Sequence, residues 1–327
     1  MQQISLSKRQ YSFLAKVTVW LISILCFIYA IYNVNIGQMW TAIKQYSMTS
    51  IVLLFLFSII ICIVNGLRKY FLFNKQLSLS QSIQSAFFGL GGNNIFPAKA
   101  GEFIHAFYIA RVTGKPSTEV FPVIFMERFA DINLLAILSL FMLSIFEPSK
   151  WTILLRCSAI AFIWLGILLL SYKSSWIFFM LRYIPWEYPR NIANHLCSAL
   201  HSNLLLHWMI RLFITTILVW VISIGYYYFA FTIVAKLDLT IINTMCASFI
   251  LCFGAIIPSS PGSLGVFEAS AVFALGLFGV PHSEALAIGL VCHFFMFFVP
   301  VAGMVIIMSI NKQVKQIVLT AEQELKT

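Results

Sequence analysis

Charge is scarce in this sequence. Asp, Glu, Lys and Arg together make up 10% of 327 residues, and only 11 are acidic. A soluble domain carries about 25% charged residues, so water could not wet a surface this poor in them. Cysteine is sparse too: Cys26, Cys62, Cys157, Cys197, Cys246, Cys252 and Cys292 are scattered, odd in number and without a Cys-x-x-Cys pair. That pattern indicates neither a disulfide framework nor a thiolate metal site, and the thiols read as core filling. Also missing are His-Glu-x-x-His, Gly-x-Ser-x-Gly and Gly-x-x-x-x-Gly-Lys-Ser/Thr, so nothing supports a zinc hydrolase, a serine hydrolase or a nucleotide-driven pump. No metal, cofactor or nucleic-acid partner is expected.

What the chain does contain is apolar sequence, 61% hydrophobic and 16% aromatic. Charge-free runs cover Val17–Tyr32, Ile51–Leu67, Ile132–Phe146, Ala159–Tyr172, Leu212–Ala235 and Ala285–Ile310. The longer ones approach or exceed the ~20 residues with which a helix crosses a bilayer. The fold class is therefore an all-α polytopic membrane protein. The first run follows Lys8, Arg9 and Lys16 but ends in Tyr-Ala-Ile-Tyr-Asn, a poor cleavage site, and reads as an uncleaved span. The net charge of +10 is distributed by loop. With the N-terminus inside, Lys44, Lys150, Arg156 and Lys236 fall outside, Arg128 falls within a span, and every other cation, Arg68 and Lys69 among them, is cytoplasmic. This bias places both termini in the cytoplasm of a cell with the chain in its cytoplasmic, or inner, membrane. It requires residues 81–112 to enter and leave on one side.

Within the grease lie two breaks, "GGNNIFPAKAGEFIHAF" at 91–107 and "IPSSPGSLGVFEAS" at 257–270. Pro97 and Gly101 align with Pro261 and Gly265, while Gly114, Pro116, Glu119 and Phe129 align with Gly279, Pro281, Glu284 and Phe294 one residue further along. Matches in order at nearly one offset indicate an internal duplication. Lipid cannot satisfy backbone freed by Pro and Gly at mid-depth, so each break reads as a re-entrant helical hairpin, about 81–112 and about 240–279. Three crossings per half invert the second half against the first, an arrangement of about six full spans plus two hairpins that transporters use around a midplane site. The repeats are then 1–146 and 147–311, with a short cytoplasmic tail at 312–327. Residues 174–208, bearing Trp176, Trp186 and Trp208, read as interfacial helices.

Chemistry concentrates in "MERFAD". Glu127 and Asp131 share a helix face and Arg128 lies three residues before Asp131. Three charges in five residues of a span need partners or a polar cavity, since each costs at least about 2.5 kcal/mol at the bilayer centre. They are either an internally neutral staple between helices or a cavity-facing site in which Arg128 meets an anionic headgroup and the carboxylates orient it. Glu102 and Glu268 each follow a hairpin turn, at a helix start that suits an anion. Each is a helix cap or a ligand, and Glu268 is alternatively a proton carrier. Glu102 shares a face with His105. Gly262 and Gly265 permit close backbone approach. His293, in the position equivalent to Arg128, is a hydrogen-bonded packing residue or a ligand, and Asn93 and Asn94 are polar lining or caps.

The blocks "NNIFPAKAGEFIHAFYIAR", "MERFAD" and "PSSPGSLGVFEAS" resemble the flippase-like membrane family related to lysylphosphatidylglycerol synthases, over essentially the whole chain. That resemblance implies two re-entrant hairpins and, in bifunctional relatives, transfer of aminoacylated phosphatidylglycerol between leaflets. It carries over to Pro97, Gly101, Glu102, Glu127, Arg128, Asp131, Pro261, Gly262, Gly265 and Glu268. His293 stands where the family often has an arginine, and only Asn311–Thr327 follow the last span, so neither the relatives' substrate nor synthase activity is implied. The expected function is a flippase for an anionic phospholipid or a polyprenyl-phosphate-linked lipid, not an enzyme. The alternatives are a non-transporting partner or scaffold for an envelope-biosynthesis enzyme, and an intramembrane enzyme acting on a lipid-linked substrate.

Overall fold

A computed structural model of the chain describes residues 8–96, 101–146, 206–256 and 259–311, together with Leu154, Ser158 and Gln316. Pro97, the apolar run Ala159–Tyr172, the interfacial segment as far as residue 205, and the tail beyond Asn311 apart from Gln316 lie outside the described residues. Among the described residues there are ten α-helices and no strand. They are α1 (Lys8–Ile31), α2 (Ile36–Gln45), α3 (Met48–Leu72), α4 (Leu79–Ile95), α5 (Gly101–Thr113), α6 (Ser117–Phe146), α7 (Leu206–Tyr228), α8 (Ile241–Ile256), α9 (Val266–Gly276) and α10 (His282–Ile310). A π-helical turn, Phe229–Val234, continues α7, and a 3-10 turn, Pro261–Ser263, precedes α9.

Among the described residues three helices are long and apolar enough to cross a bilayer: α3, α7 with its π turn, and α10. A fourth is added if α1 and α2, bent by 81° at their junction, count as one span. The chain is thus a multi-pass helical membrane protein.

Local chemistry sets the boundaries. Ser78 and Gln81 cap α4 reciprocally: the Gln81 N–H donates to Ser78 Oγ at 3.2 Å and the Ser78 N–H to Gln81 Oε1 at 2.8 Å. The break after α1, which its apolar pattern does not announce, is made by two asparagines. Asn33 adopts φ 61°, a left-handed conformation that Asn tolerates. Asn35 then caps α2 by accepting the Gln38 N–H at 3.1 Å. Helices α5 and α9 end alike, before a glycine in left-handed conformation (Gly114 at φ 68°, Gly279 at φ 79°) and a proline that precedes the next long helix.

The described residues fall into two compact units, each drawing segments from both expected repeats. The first comprises Met1–Ile59, Leu90–Gly101 and Ile224–Ala302, and the second Ile60–Gly89, Glu102–Ser223 and Gly303–Thr327. In the first, α9 packs on α8 and α1. Ser23 of α1 accepts the Ser260 N–H at 2.8 Å, and a Cβ on Gly265 would stand 2.3 Å from the Ser23 carbonyl oxygen. Within α10, Pro300 has no N–H for the Met296 carbonyl four residues back. Asn94 at the end of α4 supplies the missing donor: its Nδ2 donates to the Met296 carbonyl at 3.0 Å and to that of Phe297 at 3.3 Å.

In the second unit α3 and α4 approach through Gly66, whose added Cβ would come within 2.6 Å of Ile83 Cα. Small residues allow such contacts where lipid supplies no hydrophobic drive. Trp208, expected at the membrane interface, is instead buried near the start of α7, with Nε1 donating to the Leu72 carbonyl at 3.0 Å. Gly66→Ala should destabilise the detergent-solubilised protein by about 1–3 kcal/mol through overpacking. Gly276→Ala, with no atom within 4 Å of the added Cβ, should shift stability by less than about 1 kcal/mol. Thermal unfolding of the two variants beside wild type makes the comparison.

Candidate functional site

Two polar centres are built into these apolar helices. The larger lies in the second unit. The last turns of α3 present Asn65, Arg68 and Lys69 at i, i+3 and i+4, on one face. Arg68 grips Asp131 of α6 with a fork, Nη1 to Oδ1 at 2.7 Å and Nη2 to Oδ2 at 3.2 Å. Its Nη2 also donates to Asn65 Oδ1 at 3.3 Å and stands 3.4 Å from Glu127 Oε2. Lys69 Nζ donates to Glu127 Oε2 at 3.2 Å, and Trp220 of α7 donates its Nε1–H to Asp131 Oδ1 at 3.2 Å.

Arg128 is held more loosely. Its guanidinium lies 3.3 Å from Asp131, 3.6 Å from Glu102 and 3.7 Å from Glu127. Glu102, in the first turn of α5, is also 3.6 Å from His105 Nδ1. Three cations thus face three carboxylates, and the set is neutral without a ligand. Burial ranks them: Glu127 is 0% exposed, Arg68 1% and Lys69 3%, whereas Asp131 is 13%, Glu102 21% and Arg128 37% exposed. The core of the cluster is a bidentate, hydrogen-bonded network of the kind that tolerates burial, and its rim is Arg128.

This corrects the sequence-based placement of Arg68 and Lys69 among cytoplasmic loop charges. Helix α3 continues past the apolar run, and α6 offers two carboxylates, Glu127 buried and Asp131 nearly so, that would otherwise have only the loosely held Arg128. The spacing of Asn65, Arg68 and Lys69 on one face was the signal for them. Trp220 had no such signal, since nothing in an apolar run marks one indole as a donor.

The smaller centre lies in the first unit, around the turn between α8 and α9. Gly262 (φ 69°) and Gly265 (φ 83°) both take left-handed conformations there. A Cβ on Gly262 would also sit 2.7 Å from the Phe297 ring. Glu268 does cap its helix, its Oε2 accepting the Gly265 N–H at 2.8 Å. Its other oxygen meets His293 Nδ1 of α10 at 2.5 Å, while His293 Nε2 lies 2.7 Å from the Gly262 carbonyl. A carbonyl only accepts, so Nε2 carries a hydrogen. Nδ1 and Glu268 Oε1 then share a single proton, as imidazolium with carboxylate or as imidazole with carboxylic acid. The Phe267 ring stacks on the imidazole at 4.6 Å.

Glu102, Glu127, Arg128 and Asp131 are therefore brought together in one centre, and Gly262, Gly265, Glu268 and His293 in the other. Pro261 opens the 3-10 turn of the second centre, and Gly101 is the buried first residue of α5. Asn94 serves α10 as described, and Asn93 is half-buried in the last turn of α4. Among the described residues no group of three or more His, Cys, Asp or Glu could hold a metal ion. Cys62, Cys246 and Cys292 are buried free thiols.

The network distinguishes two arginines. Arg68→Met removes the fork from Asp131, leaving it with Arg128 and Trp220, and takes one buried cation from beside Glu127; it should destabilise the protein by about 3–5 kcal/mol. Arg128→Ala leaves Asp131 with Arg68 and Trp220, and Glu127 with Lys69, and should unfold within a few degrees of wild type. Thermal melts with size-exclusion profiles of both variants test this ordering.

Comparison with known proteins follows the same residues. Comparison with curated proteins finds no match. Residues 15–303 match the lysylphosphatidylglycerol synthase TM region, a span that includes both polar centres. Nearly the whole multi-pass chain is covered, and it belongs to the family of lysylphosphatidylglycerol synthase transmembrane regions.

Proposed function

We propose that the protein is a flippase of the cytoplasmic membrane that carries an anionic phospholipid or a polyprenyl-phosphate-linked lipid between leaflets. One observation carries the reading: a self-neutral set of three cations and three carboxylates with a buried core, Arg68, Lys69 and Glu127, whose most exposed member is a cation, Arg128 at 37%. Such a set accepts an anion by exchange. A phosphate replaces the loosely held carboxylates around Arg128, while Arg68, Lys69 and Trp220 keep Asp131 and Glu127 satisfied. The cation is only partly solvated and is held in place by carboxylates at 3.3–3.7 Å, so a headgroup gains a charge-assisted bond there. The hydrogen-bonded Glu268–His293 pair supplies a second element, a carboxylate and an imidazole 2.5 Å apart between which a proton can pass, and it can couple transport to a proton gradient.

In this reading α4 with α5, and α8 with α9, are the two re-entrant hairpins. Residues 1–146 and 147–311 form inverted repeats with about six spans in all, and both termini are cytoplasmic. The matched left-handed glycines Gly114 and Gly279, each followed by a proline and a long helix, support the duplication. Membrane transporters built this way place substrate between interrupted segments.

The test is reconstitution. Vesicles carrying fluorescent phosphatidylglycerol should scramble or translocate it with wild-type protein and lose that activity, by about tenfold or more, with Arg128→Ala of native-like stability. Full transport by the variant would sink the reading. No transport by wild type with any phosphate-bearing lipid would turn it toward a scaffold for an envelope enzyme, and a chemically altered lipid would turn it toward an intramembrane enzyme. Glu268→Gln keeps an acceptor for the Gly265 N–H but fixes the proton count. It should therefore retain the fold and lose the dependence of transport on a pH gradient.

A further inference from the structure

A polar cleft lies in the first unit, apart from the two polar centres described above. Helix α2 is sharply amphipathic. Ile36, Met39, Trp40 and Ile43 fall within one narrow arc, and Gly37, Gln38, Thr41 and Gln45 on the opposite one. None of its residues is buried, and Ile36 and Trp40 are 74% and 55% exposed. With α1 across the bilayer, the 81° bend lays α2 near the membrane plane, its apolar arc and Trp40 toward lipid.

The polar arc then faces a cleft of about 820 Å³ closed by the segment after the π turn and by the start of α10. Gln38, Thr41, Gln45 and Tyr46 line one wall, Lys236 and Glu284 the other. Ser283 ties the walls together, its Oγ accepting the Asn35 N–H at 3.0 Å. The backbone is distorted where it meets this cleft: the bend at Asn33 (φ 61°), the π turn ending at Val234, and Lys236 held at φ 55°. Non-glycine residues in left-handed conformation and π turns both concentrate at functional sites.

We propose that this cleft binds a polyhydroxylated headgroup, a sugar or polyol, presented at the membrane surface. Its chemistry argues against a bare phosphate, because one ammonium is offset by one carboxylate. Amide and hydroxyl groups dominate, each able to donate or accept, and they extend along three turns of α2. Neutral hydroxyl arrays are what such a wall recognises, and the volume suits a ligand of sugar size. The side chains of Gln38, Gln45, Lys236 and Glu284 make no hydrogen bond or ion pair with other described residues, so they are available to a ligand.

The site is independent of the flippase reading, and its test reads binding, not transport. Wild-type protein in nanodiscs of phosphatidylglycerol containing a little monogalactosyl diacylglycerol is analysed by native mass spectrometry, with methyl β-galactoside added in a parallel arm. The expected result is retention of the galactolipid over phosphatidylglycerol, reduced by about tenfold or more in Gln38→Leu/Gln45→Leu and reduced also in Lys236→Ser. Both variants alter exposed positions and leave the apolar arc intact. Displacement by the free glycoside assigns the site to a soluble sugar as well as a lipid-borne one, and no displacement assigns it to the lipid alone. Equal retention by wild type and the double variant, or no binding of either galactoside, overturns the proposal.

Discussion

The structure depends on one constraint: inside a bilayer no water is present to satisfy a charge or a freed backbone group. Arg68 answers it for the second unit. Its fork on Asp131, with Lys69 on Glu127, lets the end of α3 and the middle of α6 carry four full charges in a nearly dry interior. Removing those bonds would not merely weaken a contact between helices. The two carboxylates left behind would have to share Arg128, with Glu127 fully out of solvent, and the cheapest response would be to pull the helices apart. The same constraint explains why Arg128 stands out, since Asp131 and Glu127 keep other cations without it.

Much of this was legible in the residues and some was not. The class of protein follows from scarce charge and long apolar runs, and the run from Ala285 to Ile310 lies within α10, which starts three residues earlier at His282. The centres around Glu127, Arg128 and Asp131, and around Glu268 and His293, sit on the residues that composition made conspicuous. The partners were hidden because they are ordinary in context. Arg68 and Lys69 flank an apolar run, where a cation is normally read as wetted, and only the geometry of α6 draws them inward. The bend after α1 was equally silent, because Asn33 and Asn35 follow a run that in all other respects looks like a simple crossing.

The two centres differ in kind. One is a lattice of fixed charges, stable because it is balanced, with a single exchangeable edge. The other is a carboxylate hydrogen-bonded to an imidazole, anchored on one side by the Gly265 N–H and on the other by the Gly262 carbonyl. Neither resembles a nucleophile with its base, and neither assembles metal ligands.

The bond from Asn94 to α10 has a consequence of its own. Pro300 leaves the Met296 carbonyl without its helical donor, and the amide of Asn94 takes that place. The two positions are thus a lock and a vacancy of matching shape. A chain that kept the proline and lost the asparagine would hold an orphaned carbonyl, and a chain that kept the asparagine and lost the proline would hold an amide competing for a carbonyl already occupied. Only changing both at once returns α10 to an unbroken ladder, and it would also release the end of α4 from it. Related chains should therefore carry the pair or neither, which makes this one bond a marker for whether a relative holds the end of α4 in the same way.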